Sequence, residues 1–401
     1  DEHTTDQSPI TTANMDKLVI ACVDFSDKPA SLTTTDVNNR FFNASNSLKN
    51  YYQEVSYGAF IPSGKIYGWY RAPKTMAYYA NNNSGKTCAT GNTKCLWELG
   101  IDVINLMKND PNVDMTGIDV NGDGKISTLV IVHSGAEAAY TGKKTDLWAS
   151  AWGYTSGNVI DTIKGIGITK FAFSAEYMST ISDQQRSGVD IHEFGHQLGL
   201  PDLYDTSGAS AGVGEWCVMG SGSWLDNGIS PSHPCAWARI ELGWSGIKTN
   251  QTGNITLKNI ENNKDEILKF IGTDSNSYFL VENRRKVLFE YALPGEGLLI
   301  WRKANVSPCK NSSESCYCVG LLQADNLKDL ENKTNRGDAG DPYPGTSNNR
   351  AFSNTTSPST VFCDGTYLDL LINQISDPST SMTLNVGGGS SACPNPNISF
   401  G

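Results

Sequence analysis

The stretch from Ser187 to Asp205, S-G-V-D-I-H-E-F-G-H-Q-L-G-L-P-D-L-Y-D, leaves the chain few ways to fold there. His192, Glu193 and His196 spell H-E-x-x-H, and residues four apart on a helix share a face, so both imidazoles point towards one ion. Gly199 then permits a backbone reversal and Pro201 removes a backbone donor, so the helix stops and the chain turns back towards the histidines. The sequence holds only 5 histidines in 401 residues. A chance H-E-x-x-H is therefore expected roughly a few times in a thousand such chains. Two unconnected core histidines would not explain the spacing, the glutamate, the glycine turn and the acidic residue together.

This donor pattern is that of a catalytic zinc site, which uses three protein ligands and one open position. His192 and His196 are the first two ligands, and Asp202, six residues past the second, is the expected third, with Asp205 as runner-up. Glu193 projects beside the ion as the expected general base for a water whose pKa zinc lowers from about 15.7 to about 7. Met219 lies in the Gly/Ser-rich segment E-W-C-V-M-G-S-G-S-W of residues 215–224, where a methionine turn under a zinc site is expected. A lone methionine is ordinarily core filler. Its position shortly after the zinc motif sets this one apart.

On H-E-F-G-H-Q-L-G-L-P-D-L-Y-D and V-M-G-S-G-S-W the sequence resembles the M6 peptidase family, the immune-inhibitor-A-like metalloproteases, which are metzincin-type zinc enzymes. The likeness extends to the segments that start at Lys17, Tyr51, Leu129, Pro231 and Asn335. It departs from metzincins with three histidine ligands in having Asp202 at the third place. The resemblance implies an α+β fold: a zincin/metzincin-like catalytic domain with a twisted mixed sheet, an active-site helix and a Met-turn. It also implies zinc-dependent cleavage of protein or peptide substrates, and an inhibitory pro-segment removed on maturation.

Composition narrows the setting. A net charge of -11 argues against nucleic acid or an anionic membrane surface as partner and suits an extracellular protein that holds calcium. No run reaches the roughly 18 apolar residues of a membrane span. The 10 cysteines include no paired C-x-x-C knuckles, so disulfides are the better reading and a secreted, cell-surface or secretory-lumen location follows. Cys88 and Cys95 bracket one polar loop, and Cys309, Cys316 and Cys318 crowd another. N-glycosylation sequons at Asn43, Asn82, Asn250, Asn254, Asn305, Asn311, Asn332, Asn354 and Asn397 point to a glycoprotein. The first residues carry no signal-peptide pattern, which suggests one already removed.

Along the chain, residues 1–15 read as a flexible segment, 16–247 as the catalytic domain, 248–386 as a β-rich C-terminal domain and 387–401 as a flexible tail. Within the first domain, a buried strand is expected at Leu18 to Val23 and further strands at Ile66 to Tyr70, Thr128 to His133, Leu147 to Tyr154 and Lys170 to Tyr177. Helices are expected from Val37 to Tyr57 and from Cys95 to Met107. Either of the strands at 147–154 and 170–177 is a candidate edge for binding extended substrate. Ser232 is placed to cap a helix that has Pro234 in its first turn and Gly243 as its stop, which makes His233 a helix-start residue rather than a ligand. His133 ends a strand and is read as structural.

A second ion is expected at Asp119-Val-Asn-Gly-Asp-Gly-Lys125, where Asp119, Asn121, Asp123 and the Lys125 carbonyl match the first half of a calcium loop. Its twelfth position is Val130, so it is no EF-hand, and a plain Asx-rich turn is the alternative. The acidic stretch 325–345, with Asp325, Asp329, Asp338 and Asp341, divides in the same way between ion ligands and a solvated loop. The competing class for the whole chain is a non-catalytic surface or structural protein that keeps a zincin fold. A zinc hydrolase acting on a non-peptide bond is a third.

Overall fold

The structure, a computed structural model, describes residues 15, 17–87, 95–126, 128–153, 158–180, 186–272, 274–388 and 392–393. Packing divides them into two units, residues 17–53 with 58–197 and residues 54–57 with 198–393. The change to short strands near residue 248 therefore does not coincide with the packing boundary at 197/198.

In the first unit, strands β1 (Leu18–Asp24), β2 (Gly64–Arg71), β3 (Leu129–Ala136), β4 (Ser150–Gly153) and β5 (Lys170–Tyr177) form one mixed sheet in the order β2-β1-β3-β5-β4. The first four positions pair in parallel, and β4 closes one edge antiparallel to β5. Every residue of β1 and β3 is buried, as expected of near-continuous apolar runs in strands covered on both faces. The five expected strands all form, the fourth shortened to Ser150–Gly153 among the described residues.

Helix α1 (Leu48–Val55) is the end of the run expected as one helix from Val37. The chain instead makes a short helix at Thr34–Asn38 and a π turn at Asn39–Asn43, then leaves the helical path at Ala44. Thr33 caps the short helix in a capping box with Asp36. Helix α2 (Cys95–Asn109) buries Leu96, Leu99, Gly100, Val103, Ile104 and Met107, a 3–4 spacing that presents one apolar face. Gly100 is the close-approach point, since a Cβ there would stand 2.5 Å from the Phe171 ring of β5.

In the second unit a five-stranded sheet runs in the order Val319–Leu321, Gly297–Lys303, Tyr278–Arg284, Ile267–Ile271, Ile247–Thr249. A three-stranded sheet, Gly253–Lys258, Ser381–Gly387 and Leu371–Asn373, shares its core through Leu257, Phe279, Ile300, Phe352, Met382 and Leu384. Ala392–Cys393 pair antiparallel with Tyr367–Leu368, so the segment expected to be a flexible tail contains ordered backbone; residues 389–391 and 394–401 lie outside the described residues, as do 1–14. Disulfides join Cys309 to Cys318 and Cys316 to Cys363, and Cys95 is also bridged, while Cys88 lies outside the described residues.

The helix Ala236–Glu241 has Cys235, not Ser232, at its N-cap position, because the chain is still extended at Cys235 (φ -61, ψ 166). His233 sits before it in a buried polar network. Its backbone N–H donates to Glu290 at 2.7 Å, its Nε2 faces Glu54 Oε1 at 2.7 Å, and Arg239 donates to its Nδ1. Burial, with the Arg239 and Arg284 charges, holds the His233 pKa well down, so the ring is neutral with its proton on Nε2. Arg284, fully buried, bonds Glu290 and Glu282 and lies 3.8 Å from Glu261.

Removing one partner from such a network strands buried charge, which costs about 3–5 kcal/mol, whereas the pair itself contributes little net stability. Arg284→Met should therefore lower unfolding stability by that order in a denaturant titration. A loss under about 1 kcal/mol would show that the three glutamates find other compensation.

Candidate metal centre

Helix α3 (Ser187–Gln197) carries the motif, and its first unit holds it from several sides. Asp190, in its first turn, where a carboxylate suits the helix dipole, is 3.0 Å from Arg40 Nε and accepts from Ser174 Oγ at 2.5 Å. Arg40 also donates to the Ala175 carbonyl of β5 at 2.8 Å. Burial raises the Asp190 pKa, against the lowering by Arg40 and Ser174. The Tyr52 hydroxyl donates to the Ile191 carbonyl at 2.7 Å, and Ser187 Oγ donates to the Asn46 carbonyl. Phe194 lies edge-on to Tyr52 at 5.1 Å and stacks on Phe60 at 5.9 Å. These contacts fix both the position and the rotation of the helix.

That rotation turns His192 and His196 into a T-shaped pair with ring centroids 4.9 Å apart, both rings buried. Gly199 then takes φ +89, a conformation that side chains rarely adopt, and the chain reverses. Asp202, half-buried, comes back so that one ligand atom from each of His192, His196 and Asp202 lies within 4.8 Å of the others. Two imidazole nitrogens and a carboxylate oxygen are the donor set of a catalytic zinc site with a fourth position left for water, and a small side-chain adjustment would bring them to the roughly 3.4 Å separation that bonds of about 2.0–2.2 Å in a tetrahedron require. Among the described residues no other group of three His, Cys, Asp or Glu side chains is so placed.

Asp205 has a different task. Its carboxylate accepts the backbone N–H and hydroxyl of both Ser207 and Ser210 at 2.7 to 2.9 Å. Burial would raise its pKa, but these four bonds outweigh it and hold the group below the usual carboxylate range. Met219 is fully buried, and its carbonyl accepts the Leu203 N–H at 2.8 Å, which ties the turn that carries Met219 to the residue after Asp202. The turn needs its glycines: a Cβ on Gly222 would stand 1.9 Å from Ser232 Oγ and 2.6 Å from the Cys217 carbonyl.

The remaining expected residues fall elsewhere. His133 is fully buried with Nδ1 on the Ser134 carbonyl at 3.0 Å, and burial pushes its pKa down to about 4. In the expected calcium loop, Asp119 accepts the Gly122 and Gly124 amides, Asn121 that of Asp123, and Asp123 that of Lys125, all at 2.7 to 2.9 Å. Those bonds are those of an Asx turn built on Gly122 and Gly124, both at positive φ. In the acidic stretch, Asp341 is buried and accepts Trp216 Nε1 at 2.8 Å, and burial pushes its pKa up to about 7.

Sequence reasoning missed Glu137. It follows β3, is fully buried, and its Oε1 accepts the Ala139 and Ala149 amides at 3.1 and 3.0 Å. Burial pushes its pKa up to about 7, and the Glu193 and Asp190 charges add to the rise. Ala149 is the residue before β4, so this carboxyl pins the start of the edge strand. The available signal was a carboxylate just past the end of a strand that opens with the apolar run Leu129–Val132, a place where ligands and functional groups gather in such sheets.

Zinc affinity separates the two aspartates. Asp202→Ala should weaken zinc binding by about two orders of magnitude or more in a competition titration, whereas Asp205→Ala should leave it within a few-fold. The reverse ranking would remove Asp202 from the site.

Residues 25–245 match the model of the immune inhibitor A peptidase M6 catalytic domain. Over 215 residues the chain is 32% identical to the pre-pro-metalloprotease PrtV of Vibrio cholerae, a stretch that is 48% of this chain and 23% of that protein. Over 210 residues it is 30% identical to immune inhibitor A of Bacillus thuringiensis, 44% of this chain and 28% of that one. The chain thus spans about a quarter of the length of these relatives. Among solved structures, OgpA of Akkermansia muciniphila, crystallised with an O-glycopeptide, aligns at a TM-score of 0.32 and 14% identity over 71% of this chain and 73% of its own. With the family match covering more than half its length, the chain belongs to the immune inhibitor A family of M6 peptidases.

Proposed function

We propose that the chain is a secreted zinc endopeptidase of metzincin type, in which His192, His196 and Asp202 hold the ion and Glu193 is the general base. The observation that carries the reading is the convergence of those three ligand atoms within 4.8 Å in a member of a peptidase family. Zinc bound there would lower the pKa of a coordinated water to about 7 and polarise the scissile carbonyl. Glu193, one residue past the first ligand and half-buried, takes the proton from the attacking water on its carboxylate and returns it to the leaving amine. The Met219 turn keeps the segment that carries Asp202 in place.

The substrate runs along the sheet edge. Strand β4 is the last in its sheet, and main-chain pairing with an extended peptide would give affinity for many sequences. Of the two candidate strands only β4 qualifies, because β5 is paired on both sides. The disulfides support an extracellular or other oxidising location. No helix among the described residues is long and apolar enough to cross a membrane. A structural calcium ion at Asp119, Asn121, Asp123 and the Lys125 carbonyl, glycosylation of the sequons, and removal of an inhibitory pro-segment belong to the same proposal.

Cleavage of unfolded casein is the test. At equal zinc content Glu193→Ala should be about 10²–10⁴-fold slower than the parent chain, the range that general-base catalysis supplies. Equal rates would remove Glu193 from the mechanism. No cleavage by either, with zinc bound and the chain folded, would make the fold a binding scaffold.

A further inference from the structure

Three described cysteines stand outside the disulfides of the structure, Cys22, Cys217 and Cys235, and all are buried. Two of them are neighbours. The Cys235 backbone N–H donates to the Cys217 sulfur at 3.3 Å, across 18 residues of sequence. Neither residue is exposed to solvent. An N–Cα bond of about 1.46 Å puts the Cys235 Cα within about 4.8 Å of the Cys217 sulfur. The Cys217 sulfur stands about 2.8 Å from its own Cα, so the two Cα atoms are at most about 7.6 Å apart, close to the span of about 4.4–6.8 Å in a disulfide, and side-chain rotation with a small backbone adjustment would bring the sulfurs together. The remaining described cysteines with assigned side chains, Cys95, Cys309, Cys316, Cys318 and Cys363, are all in disulfides.

We propose that Cys217 and Cys235 are joined by a disulfide in the oxidised chain, bolting the turn that carries Met219 to the start of the helix Ala236–Glu241. The placement is what gives the bond its effect. Cys217 lies two residues before Met219, and its carbonyl already accepts the Gly220 and Gly222 amides, while Cys235 is the helix cap. A covalent link between them would hold the methionine turn against the helix when the surrounding packing loosens.

The bond forms by thiol–disulfide exchange with a disulfide donor, such as a small-molecule or protein disulfide of an oxidising compartment. The Cys217 thiolate attacks one donor sulfur, and the other donor sulfur leaves as thiolate. The Cys235 thiolate then attacks the Cys217 sulfur of the mixed disulfide and releases the second donor sulfur. Two protein S–H bonds and one donor S–S bond become one protein S–S bond and two donor S–H bonds. Because both sulfurs end up buried, the exchange belongs to folding rather than to the finished protein. Without it the pair would be two thiols packed as small hydrophobes.

Peptide mapping decides between these. The chain, secreted from a eukaryotic host, is denatured without reductant, alkylated with iodoacetamide, digested and examined by mass spectrometry, using a sample in which the Cys309–Cys318 and Cys316–Cys363 links are found. The expected result is a linked pair of peptides bearing Cys217 and Cys235, two hydrogens lighter than their sum. Alkylation of both cysteines in that sample, or a link from either to another cysteine, overturns the proposal. Stability offers an independent check. Cys217→Ser, Cys235→Ser and the double variant should lower the thermal midpoint by the same amount, as loss of one shared bond requires, and additive losses would count against it.

Discussion

The ion pair between Arg40 and Asp190, buried at 3.0 Å, sets the rotation of the helix that carries the metal motif. H-E-x-x-H spacing only ensures that two imidazoles share a face. It does not say which way that face looks. Here Asp190, Ile191 and Phe194 are each gripped from the inner side, by Arg40 and Ser174, by Tyr52, and by Tyr52 with Phe60. With those positions facing inward, His192 and His196 are left on the other face, where Asp202 can reach them. A buried ion pair contributes little net stability and is costly to break, so its use here is to specify orientation rather than to hold the fold together.

The second unit solves a related problem with a similar device. Arg239 and Arg284 are both fully buried; Glu282 and Glu290 pair with Arg284, while Arg239 donates to the Pro234 carbonyl, the Tyr57 hydroxyl and His233 Nδ1. His233 shows how the balance is kept. It accepts from Arg239, faces Glu54, and stays neutral because burial and the nearby guanidiniums disfavour a further positive charge. The same burial pushes the Glu54 pKa up to about 7. His233 is thus a hydrogen-bond bridge, and it lies three residues before the helix that begins at Ala236 rather than within its first turn, where the sequence had placed it.

Much of the site was legible because its determinants are local. Spacing of four, a glycine at Gly199 and an acid six residues on are a short-range code, and the structure brings His192, His196 and Asp202 together as that code implies. The apolar, β-branched runs that open β1 and β3 were equally readable, since strands buried on both faces need no alternation. What sequence did not reveal depends on contacts between distant segments. The break at Ala44 interrupts a run that looks helical, and the role of Glu137 appears only once the Ala149 amide is seen to meet it. The edge position of β4 is likewise a matter of strand order. Ser232 looked like a cap by residue type, yet three more residues stay extended or turn before the helix begins at Ala236. The Asp119 loop remains balanced between its two readings, because the same oxygens that would bind an ion already serve the loop's own amides.

The central claim is that one zinc ion is held by two imidazoles and the Asp202 carboxylate. Anomalous diffraction at the zinc absorption edge, from crystals of the zinc-loaded chain, tests it most directly. The account predicts a single strong peak at bonding distance, about 2.0–2.2 Å, from His192, His196 and Asp202. A peak lying elsewhere, or one whose third protein ligand is another residue while Asp202 points away, would contradict it.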